Sequence, residues 1–335
     1  MNGGLLKYPR LAAYWARRFL RESRRLFMRM SPSAYEDLIK EEATHWNKGN
    51  KGLTWLDSKV ISDRINSAIS GKKDVYWLLH FMREHAPGGV GPALVLGCGG
   101  GALERNAMSI GLCRKFLSYD ISAEALDQCA RTVRKDGGKI ETRREDLNEA
   151  SFPDNTFGAA FAVNILHHLV NLERVFDEVD DALKPGGFFV INEYVGPRRF
   201  QWTDSQIEEV SRALDGLPRK YRRNRRKFFG YRHRLYRPPE DRMSLDSPFE
   251  AARSDEILPL LEERFETVER VDIGGALLHP LLEAIVGNFD ETDEADVELL
   301  ESFWKKEKDL MKKGVLGSDF VYAVFRSRKS GARAA

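Results

Sequence analysis

The chain is expected to fold as an α/β protein on a mainly parallel sheet, and three stretches carry that expectation. Residues Ala93–Leu96 form an apolar run that ends in Gly97-Cys98-Gly99-Gly100-Gly101 and passes straight into a helical pattern. A second apolar stretch, Lys115–Tyr119, ends in Asp120, nineteen residues past Gly101. Phe157–Val163 reads as a buried strand, followed by a helix over Asn171–Leu183, the turn Lys184-Pro185-Gly186-Gly187 and a strand at Phe188–Asn192. Strands that alternate with helices in this way imply βαβ units, whose strands lie parallel.

The first of these stretches also points to chemistry. Glycine has no Cβ and tolerates φ > 0, so a ligand can approach the Gly97–Gly101 backbone closely. A carboxylate at the end of the next strand, Asp120, is placed to accept hydrogen bonds from both hydroxyls of a ribose. Together they imply an adenosine-containing cofactor. Gly97, Gly99 and Ala102 also satisfy the dinucleotide pattern G-x-G-x-x-G/A, so this motif alone leaves NAD and S-adenosylmethionine both open. Further on, a short third strand near Lys139–Arg143 runs into Arg144-Glu145-Asp146-Leu147, where Asp146 can accept a bond from an adenine amino group.

This order of motifs, with the Leu183-Lys184-Pro185-Gly186-Gly187 turn before the fifth strand, resembles the class I S-adenosylmethionine-dependent methyltransferases, small-molecule enzymes in particular. The likeness covers about residues 90–195, and Val268–Ile273 and Phe320–Phe325 fit the last two strands of that family. More loosely, the whole chain resembles bacterial methyltransferases associated with polysaccharide and glycolipid synthesis, through Trp46–Trp55, Asn192–Pro197 and Gly274–Pro280. The resemblance implies a Rossmann-like seven-stranded sheet of order 3-2-1-4-5-7-6 with strand 7 antiparallel, and S-adenosylmethionine as cofactor. It places Gly97, Gly99 and Gly101 along the methionine end and Asp120 on the ribose hydroxyls. Ile121 would lie on the adenine face, Asp146 at the adenine amino group with the Leu147 backbone nearby, and Asn164 beneath the sulfonium.

At 335 residues the chain exceeds what such a sheet needs. The expected division is a basic amphipathic helix at 1–32, a helical extension or cap at 33–90, the cofactor-binding domain at 91–329, and a disordered tail at 330–335. Insertions at 197–250 and 276–316 are expected, with the extension, to cover an acceptor pocket at the carboxyl ends of the strands. Cys98, Cys113 and Cys129 are odd in number and lack metal-ligand spacing, which implies a reducing, cytoplasmic setting without a disulfide framework. No apolar run is long enough to span a membrane, and the N-terminus lacks the continuous apolar core of a secretory signal.

A net charge of +2 hides two basic segments. Residues 1–30 carry eight Lys/Arg against the single acid Glu22, and residues 216–239 carry ten against none, which leaves the remainder acidic. On a helical wheel Leu11, Trp15, Phe19, Leu26 and Met30 share one side, with Arg10, Arg17, Arg18, Arg21, Arg24 and Arg25 mainly opposite. Such a helix suits the inner face of an anionic membrane, packing on the chain's own body or a second subunit, or an organelle-targeting peptide. The second segment interleaves its cations with Tyr221, Phe228, Phe229, Tyr231 and Tyr236. It suits an acceptor with phosphate and apolar parts, such as a lipid-linked or nucleotide-linked sugar or a phosphorylated glycan; RNA and a solvated loop are the competing readings. The acidic remainder and the lack of an RNA-binding module weigh against RNA.

Methyl transfer asks the protein for alignment and, with a hydroxyl acceptor, for a base. His168 and His167 follow the fourth strand and Glu193 ends the fifth, expected to face the same cleft. His168 is the expected base, at most one of the two histidines should enter the pocket, and Glu193 is expected to assist or orient. His233 and His279 are lesser candidates. The Asp/Asn-Pro-Pro-Tyr/Phe motif that marks methylation of planar amino groups in this family does not follow the fourth strand, and no metal-ligand spacing occurs, so a metal-independent reaction is expected. The expected function is methyl transfer to a small-molecule or glycan-type acceptor, on oxygen, the acceptor being anionic or membrane-linked. The alternatives are an RNA methyltransferase, a non-catalytic cofactor-binding scaffold and, more remotely, an NAD-dependent oxidoreductase.

Overall fold

The computed structural model describes residues 54–227, 229–239 and 249–329. The helix expected over 1–32, the extension up to residue 53, Phe228, residues 240–248 and the tail at 330–335 lie outside the described residues.

Seven strands form one sheet: β1 (Ala93–Leu96), β2 (Lys115–Asp120), β3 (Lys139–Arg144), β4 (Phe157–Val163), β5 (Leu183–Tyr194), β6 (Glu266–Gly274) and β7 (Phe320–Arg326). Their order is β3-β2-β1-β4-β5-β7-β6. The first five run parallel, and β7 is antiparallel to both β5 and β6, the Rossmann-like arrangement that the motif order implied. The helices are α1 (Lys59–Ser70), α2 (Trp77–His85), α3 (Ala102–Ser109), α4 (Ala123–Lys135), α5 (Leu172–Ala182), α6 (Asp204–Gly216), α7 (Ile257–Arg264), α8 (Leu278–Leu282) and α9 (Glu294–Lys312).

β1 shows why the strands read as unbroken apolar runs. All four of its residues are buried, and successive side chains point to opposite faces. Ala93 and Val95 join a core with Phe81, Met108, Cys129 and Val133, whereas Leu94 and Leu96 join one with Val175, Phe176, Val179 and Leu261. Ser122 then starts α4 by accepting from the Ala125 amide at 3.1 Å, immediately after the carboxylate that ends β2.

One expectation changes. The stretch Lys184–Gly187 is not a turn ahead of the fifth strand but a bulge within it. Leu183 pairs with Phe157 and Phe188 with Ala159, so the residues between them loop out, with Gly186 at φ 71°. Leu183 is fully buried, and that burial holds the first pairing in place. Within the described extension and the 276–316 insertion, α1, α2 and α9 pack on one face of the sheet, whereas Trp55 and α8 reach the carboxyl end of β5: Trp55 meets Phe320 and His279 meets Tyr194, with ring centroids 5.0 and 6.0 Å apart. α1 packs on α9 and β6. α2 sets Phe81 edge-on to Phe161 and Phe188, with centroids 5.8 and 5.5 Å apart. His80 and His85 each share a hydrogen bond of 2.8 Å with Glu269 of β6. These elements cover Tyr322 and Val324 at the antiparallel end of the sheet, so their apolar faces are spent there.

The 197–250 insertion is closed at its base. The Ser254 hydroxyl donates to the Gly196 carbonyl at 2.9 Å, and the Arg199 amide donates to the Ala251 carbonyl at 2.7 Å. Buried Arg253 donates to Glu173 of α5 at 2.7 and 2.8 Å, to Glu256 at 2.7 Å and to the Val170 carbonyl at 2.7 Å. Breaking a buried pair of this kind by removing one partner costs about 3–5 kcal/mol.

Asp319, just before β7, accepts from Gln206 of α6 at 2.8 Å. Burial pushes its carboxyl from 3.8 up to about 7. A carboxyl held above its unfolded value supports folding fully at pH values below that value, and the support is lost as pH rises through the folded one. Asp319→Asn keeps an oxygen for Gln206 and removes the titration. Its Tm advantage over wild type is expected to grow between about pH 4 and pH 7 and to level off above; an advantage independent of pH in thermal melts would refute the assignment.

Candidate active site

At the carboxyl ends of β1, β2 and β4 the chain forms a cavity of about 430 Å³, within the usual range for small-molecule sites. Seven of the eight residues expected to bind cofactor line it: Gly97, Gly99, Asp120, Ile121, Asp146, Leu147 and Asn164. The eighth, Gly101, does not. It sits at φ 81° ahead of α3, where a Cβ would come within 2.9 Å of the Cys129 Cα, so it lets α3 approach α4. Gly100 takes its place in the wall. Gly97 and Gly99 have φ of 66° and 49°, and a Cβ on Gly99 would meet nothing within 4 Å, which puts that residue against open space.

The two carboxylates are held by backbone. The Gly99 amide donates to Asp120 Oδ2 and the Ser122 amide to Oδ1, both at 2.9 Å. Each carboxylate oxygen has two lone pairs, so a second acceptor position remains on both, the number a vicinal diol needs. Asp146 Oδ1 accepts from the Asn148 amide at 2.9 Å and from its Nδ2 at 3.0 Å. Asn148 in turn accepts from the Val170 and Asn171 amides at 2.9 and 3.0 Å, tying the loop after β3 to the one after β4. Asn164 adopts φ 49°, a left-handed conformation that asparagine tolerates better than most residues.

Residues 94–191 match a family model described as a methyltransferase domain. This segment is a class I methyltransferase domain. A sterol 24-C-methyltransferase of Yarrowia lipolytica is 30% identical over 90 residues, 26% of this chain and 24% of that protein. Sterol methyltransferase-like 2 of Botryococcus braunii is 36% identical over 76 residues, 22% of this chain and 20% of that protein. The N-methyltransferase NodS of Bradyrhizobium japonicum, solved with S-adenosyl-L-homocysteine, aligns at 14% identity and a TM-score of 0.43 over 87% of this chain and 97% of that one. The matched stretch spans about a quarter of the length of the Yarrowia relative.

The cofactor of class I methyltransferase domains is S-adenosylmethionine, and the cavity's side chains fit it. Asp120, Glu124 and Asp146 line the cavity, and no Lys or Arg is among the described lining residues. An acidic wall favours a ligand with a positive sulfonium and ammonium and disfavours the pyrophosphate of a dinucleotide.

Beside this cavity the methyltransferase domain gathers a polar cluster. His167 and His168 sit in a short 3-10 turn with ring centroids 4.2 Å apart, and of the two only His168 lines the cavity. Glu193 departs from expectation: its carboxylate neither enters the cleft nor reaches His168. It is fully buried, accepting from the amides of Ile165, Leu166 and Tyr194 at 2.8, 2.7 and 2.7 Å and bonding His167 Nδ1. The amides that open the 3-10 turn need an acceptor, and Glu193 is the one beside them. Glu250, which carried no signal in the sequence, lies 3.6 Å from His167 Nε2 and 3.7 Å from His168 Nδ1. Phe249 beside it lines the cavity.

His167, His168 and Glu250 also bring ligand atoms within 4.8 Å of one another, a donor set that suits a first-row divalent ion and that the sequence spacing did not show. His279 is buried against Tyr194, Phe200 and Phe320; burial, with His167, Arg226 and Arg232 nearby, pushes its imidazole down to about 4. It is therefore neutral at pH 7 and lies outside the cavity wall. His233 lines a separate exposed groove with Asp204 and Arg234. No described residue of 219–239 lines the cofactor cavity; Arg226 and Arg232 lie near His279 instead. The neighbouring Cys129 thiol and burial both push the Cys98 thiol up, which leaves it inert.

Asp120→Ala is expected to weaken S-adenosylhomocysteine binding about tenfold or more in calorimetric titration, since charge-assisted bonds contribute about 1.5–3 kcal/mol each. NAD, titrated in parallel, is expected not to bind. Unchanged affinity in the variant would remove Asp120 from the ribose.

Proposed function

We propose that this chain transfers a methyl group from S-adenosylmethionine to a hydroxyl of a small-molecule or glycan-type acceptor, with His168 receiving the hydroxyl proton. One observation carries this reading: His168 shares a single cavity wall with Asp120, Asp146 and Asn164. The cofactor supplies an electrophilic methyl group on a sulfonium; the protein supplies position and a base.

In this reading Asp120 holds the ribose, Asp146 and Leu147 the adenine, and Asn164 the end of β4 beneath the transferring group. Glu250 lies 3.7 Å from Nδ1 of His168, where its charge favours the imidazolium that forms when the ring takes the hydroxyl proton. Glu193 and Glu250 stand at the two ring nitrogens of His167, so that this ring is a positioning residue packed on His168 rather than the base. Phe249 contributes an apolar patch on the acceptor side.

The sterol methyltransferases named above are similar over about a quarter of this chain or less, which leaves the acceptor to other observations. An anionic or lipid-linked acceptor is favoured by the ten cations of residues 216–239, which belong to the same insertion as Phe249 and Glu250.

With labelled S-adenosylmethionine and a panel of sugar, glycolipid and RNA acceptors, label is expected in a nuclease-resistant small molecule. His168→Gln is expected to lower kcat by about a hundredfold or more, to abolish the rise of rate with pH, and to leave S-adenosylhomocysteine affinity within about twofold. His167→Gln is expected to lower kcat less and to keep the pH limb. Turnover is expected to survive chelation with EDTA; loss that added zinc restores would instead assign His167, His168 and Glu250 to a metal. Label in nuclease-sensitive material, or no turnover of any acceptor by a protein that binds cofactor, would overturn the proposal.

A further inference from the structure

We propose that the hairpin whose arms are residues 222–227 and 229–232 docks the protein on an anionic lipid bilayer, with Phe229 entering the headgroup region. This goes beyond the catalytic reading and does not depend on it.

The hairpin is a built element. Arg223 and Tyr231 pair across it as an antiparallel bridge. The Arg232 amide donates to the Arg222 carbonyl at 2.7 Å and the Asn224 amide to the Gly230 carbonyl at 2.9 Å. Asn224 Oδ1 accepts from the Arg226 amide at 2.9 Å, turning the chain at the tip. It is fastened to the body at base and tip, where Arg226 pairs with Glu283. The Arg232 guanidinium donates to the carbonyls of Pro280, Leu281 and Glu283 at 2.7, 2.8 and 2.8 Å. Asn288 Nδ2 donates to the carbonyls of Tyr221 and Arg223 at 2.8 and 2.7 Å, and the Arg225 amide donates to the Ala284 carbonyl at 2.8 Å. Buried Tyr221 stacks on Phe289 with centroids 4.7 Å apart.

What this element presents is exposed rings flanked along the chain by cations. Phe229 is 82% exposed and Tyr236 72%. Of the five large hydrophobic side chains exposed among the described residues, Phe229, Tyr231 and Tyr236 lie in this one stretch. Arg223, Arg225, Lys227 and Arg234 are exposed around them, and no acid occurs between Arg219 and Arg237. Arg219 lies over the Tyr231 ring at 4.5 Å. Aromatic side chains beside Lys and Arg match the layered chemistry of a membrane interface, where rings sit among headgroups and cations meet anionic lipid. A groove that tracks a nucleic-acid backbone would instead spread cations and rings along a concave path. Charge and shape together favour the bilayer.

The test places a fluorophore on the tip. Cys98, Cys113 and Cys129 are buried, so Phe229→Cys offers an exposed thiol for an environment-sensitive label, with Val315→Cys, 43% exposed at the wild-type residue, as the control position. With vesicles of phosphatidylcholine and phosphatidylglycerol, the label at 229 is expected to blue-shift and brighten, and that at 315 is not. The change is expected to be absent with phosphatidylcholine alone and to fall with added salt. Adding Arg225→Glu and Lys227→Glu is expected to weaken partitioning about tenfold or more. Binding of the full chain to vesicles without a change at 229 would overturn the proposal, as would no binding. A change with single-stranded RNA but not with vesicles would overturn it in favour of nucleic acid.

Discussion

The buried carboxylate of Glu193 holds the end of the sheet in working order. A carboxylate with no access to water is tolerated only when donors surround it. Here three backbone amides and one imidazole do so, and all four would lose their acceptor if it were gone. The bond set ties the last residues of β5 to the turn after β4, which is the turn that carries both histidines. On the opposite side, Arg253 fastens the segment after Glu250 to α5 through Glu173. The polar cluster beside the cofactor cavity is thus a joint between two strand ends and an insertion, braced by buried charge from both directions.

The sheet was legible because its inner strands are short apolar runs, unlike the polar edge strands β3 and β6, and because the cofactor residues follow their strands at once. Gly97, Gly99, Asp120 and Asp146 need only local spacing to be found. Gly101 was misplaced because three nearby glycines look alike in sequence; which one faces the ligand is decided by how closely α3 lies on Cys129, a contact between helices. Glu193 was read as facing the cleft because a strand-end position gives a place but not a partner. Glu250 was missed altogether, since about eighty residues separate it from His168 and only contacts between distant segments return it to the site.

Charge is sorted by function across the molecule. The formal balance is nearly neutral, yet carboxylates line the cofactor cavity while a dense cationic stretch occupies a hairpin outside it. At physiological ionic strength fields between exposed charges fade within about 8 Å. Two regions of opposite sign can therefore coexist on one small protein, each answering to its own ligand.

The closed base of the 197–250 insertion has a consequence for how such a protein can change over time. Gly196 and Ser254, and Arg199 and Ala251, meet by hydrogen bonds, so the chain leaves the sheet and returns to it at nearly one point. The entropy of closing a loop rises only slowly with its length. Whatever lies between those two contacts can be lengthened, shortened or replaced wholesale while β5, α7 and the donor half stay as they are. The insertion behaves as a cassette: its contents can be exchanged without rebuilding the strand ends that hold the cofactor.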